Sequence, residues 1–322
     1  MDDLEKRATS CLQGVALGDA MGKMTEGYWP EQIIENYGDK ISKFHDPIQT
    51  KSAHPWKRAE VTDDTSFTIL VAESIIENGH VDRDDIIKKI TTHPTEIKGW
   101  PAWNDFSSAV KAGSEEVEKF CKWRDGNGAA SRVSSIGIIH GPDELDQIVE
   151  DVFSACSMTH GERSALSGAC ALAAAVSAAI DCGSRREVLG FAIRAARMGE
   201  RMGSDDCRPV APRISLGMKF VDEYRGSDLS RDLCQVLNPG FSAYEGVPYA
   251  LSLVYGYDDA WDVILAAVNE GGDADSVASM AGCVSASMYP DTLPSDLVKM
   301  VLEVNGIEVG KLASKLLELR RV

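Results

Sequence analysis

Through most of the chain, apolar residues return every third or fourth position, the spacing of a helix with one buried face. Residues 3 to 22 place Leu4, Ala8, Leu12, Val15 and Ala16 on such a face. A short helix is expected from Glu31 to Tyr37, with Gly38 as its stop. A run from Thr65 groups Phe67, Leu70, Val71, Ser74 and Ile75 and ends at Asn78-Gly79, and another helix opens at Val81 to Asp85. Glu144 to Met158 aligns Leu145, Ile148, Val149, Val152 and Phe153. From Glu162 to Asp181 nearly every residue is Ala, Ser, Leu or Val, the pattern of a helix buried all round. Helices follow over Arg185 to Arg201, Ile214 to Tyr224, Leu229 to Leu237, Asp259 to Asn269 and Val277 to Met288, with two more after Ser295. Strand-like runs are few and short, no composition break marks a linker, and no internal repeat is present. The prediction is all-α: residues 1–322 form a single compact domain of many helices around the small-residue helix at 162–181.

Four stretches break the pattern. Residues 23–60 leave regular structure apart from the short helix, and His45 to Glu60 is a long loop rich in Pro, Lys and His. Loops of that length are often functional. Residues 91–108 read as irregular and aromatic, with Trp100, Trp103 and Phe106 forming either a packed patch or a pocket wall. Residues 203–213 read as a loop, and Phe241 to Pro248 as a turn-rich stretch that presents Tyr244. Within the first helix, Gly14, Gly18 and Gly22 repeat every fourth position. Each Gly costs a helix about 1 kcal/mol against Ala, so the repeat implies close backbone approach to a neighbour. Asp19, among them, either supports a core site or caps a neighbouring segment, and we favour a structural role.

A net charge of −17 argues against a nucleic-acid or anionic-membrane surface. It leaves room for a phosphorylated ligand held by metal and backbone N–H groups. The opening Met-Asp-Asp-Leu-Glu-Lys-Arg lacks the layout of a signal peptide. The richest apolar run, Ala165 to Ile180, falls short of the roughly 20 residues that span a bilayer. The eight cysteines include no Cys-x-x-Cys pair, and Cys156, Cys170, Cys182 and Cys283 lie in or beside small apolar runs. They read as reduced core thiols of a cytoplasmic protein.

Chemistry concentrates at two places. Thr62, Asp63 and Asp64 open one helix; Asp273, Asp275 and Ser276 follow Gly271-Gly272 and open another. Alone, either cluster reads as an N-cap with turn residues, the glycines supplying the preceding helix's C-cap. Adjacent carboxylates repel, however, and a helix N-terminus offsets only part of this. Oxygen clusters of this kind suit hard cations such as Mg²⁺ and Mn²⁺. A third stretch, residues 124–137, offers small residues and free N–H groups that can cradle a diphosphate, without a Walker A Lys. In it Arg132 either touches a phosphate or pairs with a buried Asp.

Taken in order, these motifs resemble the ADP-ribosylglycohydrolase family. Gly14 to Gly22 is similar to its N-terminal helix, and Glu26 follows Gly18-Asp19 at the spacing of a cleft glutamate. Thr62-Asp63-Asp64-Thr65 and Gly271 to Ser276 resemble its two metal motifs, Asn127 to Val133 its substrate loop, and Thr159-His160 the pair before its central helix. The resemblance implies two divalent cations, Mg²⁺ or Mn²⁺, on Thr62, Asp63, Asp64, Asp273, Asp275 and Ser276, with Asp275 as the bridge. It implies catalytic roles for Glu26, Asp64 and Asp275. Asn127, Gly128, Ala129, Ser131, His160 and Tyr244 become substrate contacts, and 23–60 a flap over the cleft. The implied reaction is hydrolysis of the C1 ribosyl bond of an ADP-ribosylated protein side chain or small ADP-ribose derivative, by a metal-bound water through an oxocarbenium-like transition state. Glu26 would be a base or a positioning group. Two departures stand out: Ser131 where the family often has Met, and Ser276 for the more usual Thr, which keeps the hydroxyl. The alternatives are an N-glycosidase of free nucleosides or nucleotides and an inert ligand-binding member. The expected partner is an ADP-ribose compound or ADP-ribosylated protein, with no nucleic acid or membrane, the chain being a monomer or small homo-oligomer.

Overall fold

Seventeen helices fill the computed structural model, which describes residues 3–46, 48, 55–94, 97–181, 183–204 and 208–320. They are α1 (Asp3–Gly22), α2 (Pro30–Tyr37), α3 (Asp63–Asn78), α4 (Arg83–Thr91), α5 (Trp103–Ala112), α6 (Ser114–Cys121), α7 (Ser134–Ile139), α8 (Leu145–Cys156) and α9 (Arg163–Ile180). Then come α10 (Arg185–Gly199), α11 (Val210–Glu223), α12 (Leu229–Leu237), α13 (Ala243–Gly256), α14 (Ala260–Val268), α15 (Ala274–Met288), α16 (Ser295–Asn305) and α17 (Val309–Leu317). A 3₁₀ turn, Asn127–Ala129, precedes α7. Among the described residues extended pairing is limited to isolated bridges, Gly126 with Ser242 and Glu162 with Ser204. The all-α expectation holds.

The small residues of α1 meet those of α15. A Cβ on Gly14 would lie 2.2 Å from the Gly282 carbonyl oxygen, on Gly18 2.2 Å from that of Ala278, and on Gly22 2.2 Å from that of Ala274. The two helices therefore touch backbone to backbone and run antiparallel, as the glycine repeat implies. This seam sets the C-terminal end of α1 beside the N-terminal end of α15. α9 is the second centre: all but its first residue are buried, and α7, α8, α10, α13 and α15 pack around it. By length and composition alone α9 could cross a bilayer, but 94% of it is buried inside the protein. Close approach recurs there, where a Cβ on Gly137 of α7 would sit 2.5 Å from the Ala173 carbonyl oxygen.

Helix ends largely follow the sequence. Gly38 and Gly79 take left-handed conformations after α2 and α3. Four expectations need correction. α14 is capped by Asn269 in a right-handed conformation, not by the glycines. Gly271 and Gly272, at φ 70° and 68°, instead admit the Tyr28 and Pro239 carbonyls, which a Cβ would meet at 1.9 and 2.2 Å. α11 begins at Val210, inside the expected loop, because Pro209 and Pro212 fit its cap and first turn. α13 takes in most of the turn-rich stretch: the Ser242 side chain accepts from Tyr244 N, and Pro248 sits inside the helix. Finally, residues 103–108 are helical, and Trp100 and Phe106 pack with Phe67 and Phe120 at 5.0–5.6 Å between rings. The packed-patch reading is the one observed. Part of the His45–Glu60 loop, part of 203–213, and Cys182 lie outside the described residues. Cys11, Cys121, Cys156, Cys170 and Cys283 are free and buried.

Candidate active site

Asp19 faces inward near the C-terminal end of α1 and is wholly buried. Its carboxylate accepts from Thr62 N at 3.0 Å, Thr65 N at 3.0 Å and the Thr65 hydroxyl. It thus caps α3 from outside, the structural role expected, and fixes where α3 begins. With that end anchored, the Thr62 hydroxyl accepts from Asp64 N at 3.3 Å, and Asp64 points into the protein, 3% exposed. Asp63 is half-buried beside it.

The start of α15 supplies the other half. Asp273 stands at the N-cap position, yet its side chain caps nothing. Its Oδ2 accepts instead from Asn127 Nδ2 at 2.6 Å, and its N–H donates to the Pro239 carbonyl at 2.8 Å. Asp275 Oδ1 accepts from Ser276 N at 3.0 Å. The Ser276 hydroxyl donates to Asp64 Oδ2 at 3.0 Å, across 212 residues of sequence. Oxygens of Asp19, Asp64 and Asp275 lie within 4.8 Å of one another, and so do those of Glu26, Asp273 and Asp275. Asp275 belongs to both groups.

Glu26 is placed by the turn after α1. Gly27 N donates to the Gly272 carbonyl at 2.7 Å, and Gly272 N returns a bond to the Tyr28 carbonyl at 3.1 Å. The Thr25 hydroxyl donates to the Val268 carbonyl at 2.7 Å. The turn is thus stitched to the one preceding α15. Further along 23–60, the Asn269 amide exchanges two hydrogen bonds with the Ile41 backbone, at 2.6 and 2.9 Å. Lys23 donates to Glu26 Oε2, stands 3.8 Å from Asp275 Oδ2 and lies over the Trp56 ring at 4.5 Å. Sequence reasoning passed over Lys23; the available signal was its i, i+3 spacing from Glu26, which alone reads as a surface ion pair.

The Asn127 turn forms a third wall. Asn127 Nδ2 also donates to the Gly240 carbonyl at 2.8 Å, and its N–H to the Phe241 carbonyl at 3.0 Å. Beneath, Arg132 is 1% exposed, lies 4.2 Å from the Phe67 ring centre, and donates to the Gly128 carbonyl and to the Thr159 hydroxyl. It buttresses the turn. His160 Nδ1 shares a hydrogen bond with the Thr159 hydroxyl at 2.9 Å, and its ring lies along Gly126 and Gly128. Tyr244 sits at the start of α13 with the Arg213 guanidinium 4.3 Å from its ring centre.

Burial and like charge govern the electrostatics. Burial first, then the Asp64 charge, push Asp19 and Asp273 up to about 7, with Asn127 opposing at Asp273. Asp63 and Asp275 are driven well above the ordinary carboxylate range, Asp63 by burial, Asp64 and Asp19, Asp275 by burial, Glu26 and Asp273. Burial raises Asp64 too, and the Ser131 and Ser276 hydroxyls only partly oppose it. Burial alone would lower Lys23; Asp275 and Glu26 outweigh it and hold the ammonium at about 12. His160 is pushed well below its usual value by burial, then by Arg132 and Arg124, so the imidazole is neutral.

The donor set fits hard divalent cations. It consists of carboxylate and hydroxyl oxygens, with an excess of acids over the neighbouring Lys23 and Arg132. A buried polar atom beside it, Asn127 Oδ1, has no hydrogen-bond partner among the described residues.

A family model described as ADP-ribosylglycohydrolase matches residues 1–322. The chain is a member of the ADP-ribosylglycohydrolase family. Among its relatives, the uncharacterized protein YegU of Escherichia coli is 29% identical over 328 residues, 98% of each chain. ADP-ribosylarginine hydrolase Tri1 of Pseudomonas putida is 26% identical over 97% of this chain and 78% of its own. In fold the chain resembles a solved ADP-ribosylglycohydrolase-related protein complex, with a TM-score of 0.70 at 19% identity and full coverage of both chains. The family and its named relatives indicate an ADP-ribosyl hydrolase activity. The two acidic motifs of this family member meet at one place, whereas the Tyr244 ring stacks with Arg213.

Proposed function

We propose that this protein hydrolyses the C1 ribosyl bond of an ADP-ribose conjugate, on a protein side chain or a small molecule, in a site that holds two divalent cations. The observation that carries this reading is the Ser276–Asp64 bond together with the two acid groups that share Asp275. Thr62, Asp63, Asp64, Asp273, Asp275 and Ser276 would hold Mg²⁺ or Mn²⁺, supplying Lewis-acid polarisation and water of lowered pKa. Asn127 fixes the Asp273 carboxylate, and the Asp19 cap fixes the start of α3, so the donors are set before ligand arrives. Glu26, on its stitched turn, is placed to accept a proton from the attacking water or to orient it. The excess of carboxylates around the ribose would favour the positive charge that develops at C1 as the bond breaks. In the Asn127–Ser131 turn the N–H groups of Asn127, Ala130 and Ser131 are bonded to carbonyls, which leaves those of Gly128 and Ala129 as the ones suited to a diphosphate. Neutral His160 is suited to hydrogen bonding, not to charge pairing.

The test is incubation of metal-loaded protein with ADP-ribosyl-arginine, ADP-ribosyl-serine, O-acetyl-ADP-ribose and a nucleoside panel. Release of ADP-ribose from at least one conjugate is expected. Release of free base from nucleosides alone would replace this reading with a nucleosidase, and no turnover with metal bound would leave a binding protein.

A further inference from the structure

The two acid groups that share Asp275 are compensated in different ways. The groups that hydrogen-bond Asp19 and Asp64 are neutral, namely Thr62 N, Thr65 N and the hydroxyls of Thr65 and Ser276, while Arg132 and Lys23 act on these two carboxylates only through space. Around Glu26 and Asp275 the partner is a cation. Lys23 bonds Glu26, stands 3.8 Å from Asp275, and has its ammonium over Trp56. Its side chain is 17% exposed, so it is a held charge and not a solvated one. Its backbone is held too, since Lys23 N donates to the Asp19 carbonyl at 2.9 Å and the turn it begins is tied to Gly272.

A divalent ion held by Asp273 and Asp275 would lie beside Glu26, whose carboxylate oxygen comes within 4.8 Å of theirs. An ammonium already bonded to Glu26 and 3.8 Å from Asp275 would then face a double positive charge at short range. Both cannot stay. The conflict is weaker on the Asp64 side, which Lys23 touches only at the shared Asp275 and where the hydrogen-bond donors are neutral.

Resting on the metal-site reading above, we propose that Lys23 is a built-in competitor for one of the two cations. Its ammonium is the resident counter-ion of the Glu26–Asp273–Asp275 group, and this group takes a divalent ion only when Lys23 swings away. The two cations consequently bind unequally. One enters on the Asp64 side, where the lysine reaches only the shared Asp275, and binds tightly; the other must displace the ammonium bonded to Glu26. Occupancy of the second position then follows the free cation concentration, and the lysine keeps the acid group from standing uncompensated while that position is unfilled.

The experiment is titration of full-length protein with Mn²⁺, followed by calorimetry and by electron paramagnetic resonance of free Mn²⁺, on wild type, Lys23→Met and Lys23→Arg. Met keeps the unbranched stem without the charge, and Arg keeps the charge. The wild type should show a tight and a weak step. Lys23→Met should tighten the weak step by at least about tenfold and leave the tight step within about threefold. Lys23→Arg should retain the wild-type inequality. The metal-free Lys23→Met protein should also melt below wild type, with the loss recovered on adding Mn²⁺. Two binding steps that are unchanged or weakened in Lys23→Met would overturn the role of Lys23 alone. Absence of Mn²⁺ binding in all three proteins would overturn the metal reading and this inference with it.

Discussion

Gly18, on α1, and Gly128, in the turn that carries Asn127, both lie close to the acid cluster, yet an added methyl group would meet very different surroundings. On Gly18 a Cβ falls 2.2 Å from the Ala278 carbonyl oxygen and 2.7 Å from Ser279 N, both rigid backbone of α15. On Gly128 the nearest atom is His160 Cε1 at 3.4 Å, an ordinary contact. In the seam, glycine is demanded by the protein itself, because α1 and α15 must touch for Asp19 and Glu26 to reach Asp64 and Asp275. In the turn, the protein leaves room it does not use. The charged chemistry is thus hung on helix ends whose spacing packing dictates, while the ligand-facing wall is a short loop held by side-chain bonds to backbone.

The largest effect should come from breaking the seam. Gly18→Val is expected to cost about 3 kcal/mol or more, or to prevent folding, since the overlap is with backbone that cannot turn aside. Urea denaturation would show it, and wild-type stability would mean that the helices are not in contact. Next comes the charge the seam concentrates. In metal-free protein, Asp19 and Asp273 keep protons up to about 7. The unfolded chain releases them near the ordinary carboxylate value of about 4. The folded state therefore binds more protons over that window, and stability falls as pH rises from about 4 to about 7. Asp273→Asn should show a shallower fall than wild type in melting temperature against pH. An identical slope would remove Asp273 from the buried cluster.

Smaller effects belong to the turn. Asn127→Ala takes away the donor that orients Asp273, and cation affinity should fall by about 10–100-fold, as for other residues that position a metal ligand. Stability would drop by about 1–3 kcal/mol. Gly128→Ala should change stability by less than about 0.5 kcal/mol. If the spare room serves a ligand, that variant will lose affinity for ADP-ribose in a binding titration while melting like wild type. A marked loss of stability there would erase the contrast with Gly18.

Much of this was legible in the sequence for local reasons. Gly38 and Gly79 end helices because left-handed residues are needed there, and α1, α9, α12 and α15 announce themselves by periodicity or by small residues on every side. The glycine repeat of α1 foretold close contact, although only the fold reveals α15 as the partner. Both acidic motifs were legible because paired carboxylates at helix starts are costly without a counter-charge. What escaped depends on distant partners. Pro248 and Gly246 argue locally for a turn, but α13 packs on α9 and α15, and tertiary burial overrides the local preference. The double glycine at 271–272 marks a helix end in sequence, whereas in space it admits two carbonyls from other segments. Lys23 looks like half of a surface pair until Asp275, 252 residues on, is found next to it. Arg132 left two readings open, and its charge does act through space on Asp63 and Asp64, although its hydrogen bonds go to neutral groups. It stacks on Phe67 and supports Gly128.

The most direct test of the whole account is a calorimetric titration of Mn²⁺ into wild type and Asp275→Ala, with far-ultraviolet circular dichroism on both. Asp275 belongs to both acid groups, so its loss should abolish measurable binding while the helical spectrum stays that of wild type. Wild-type affinity and stoichiometry in Asp275→Ala would contradict the claim that residues 62–64 and 273–276 act together as one cation site.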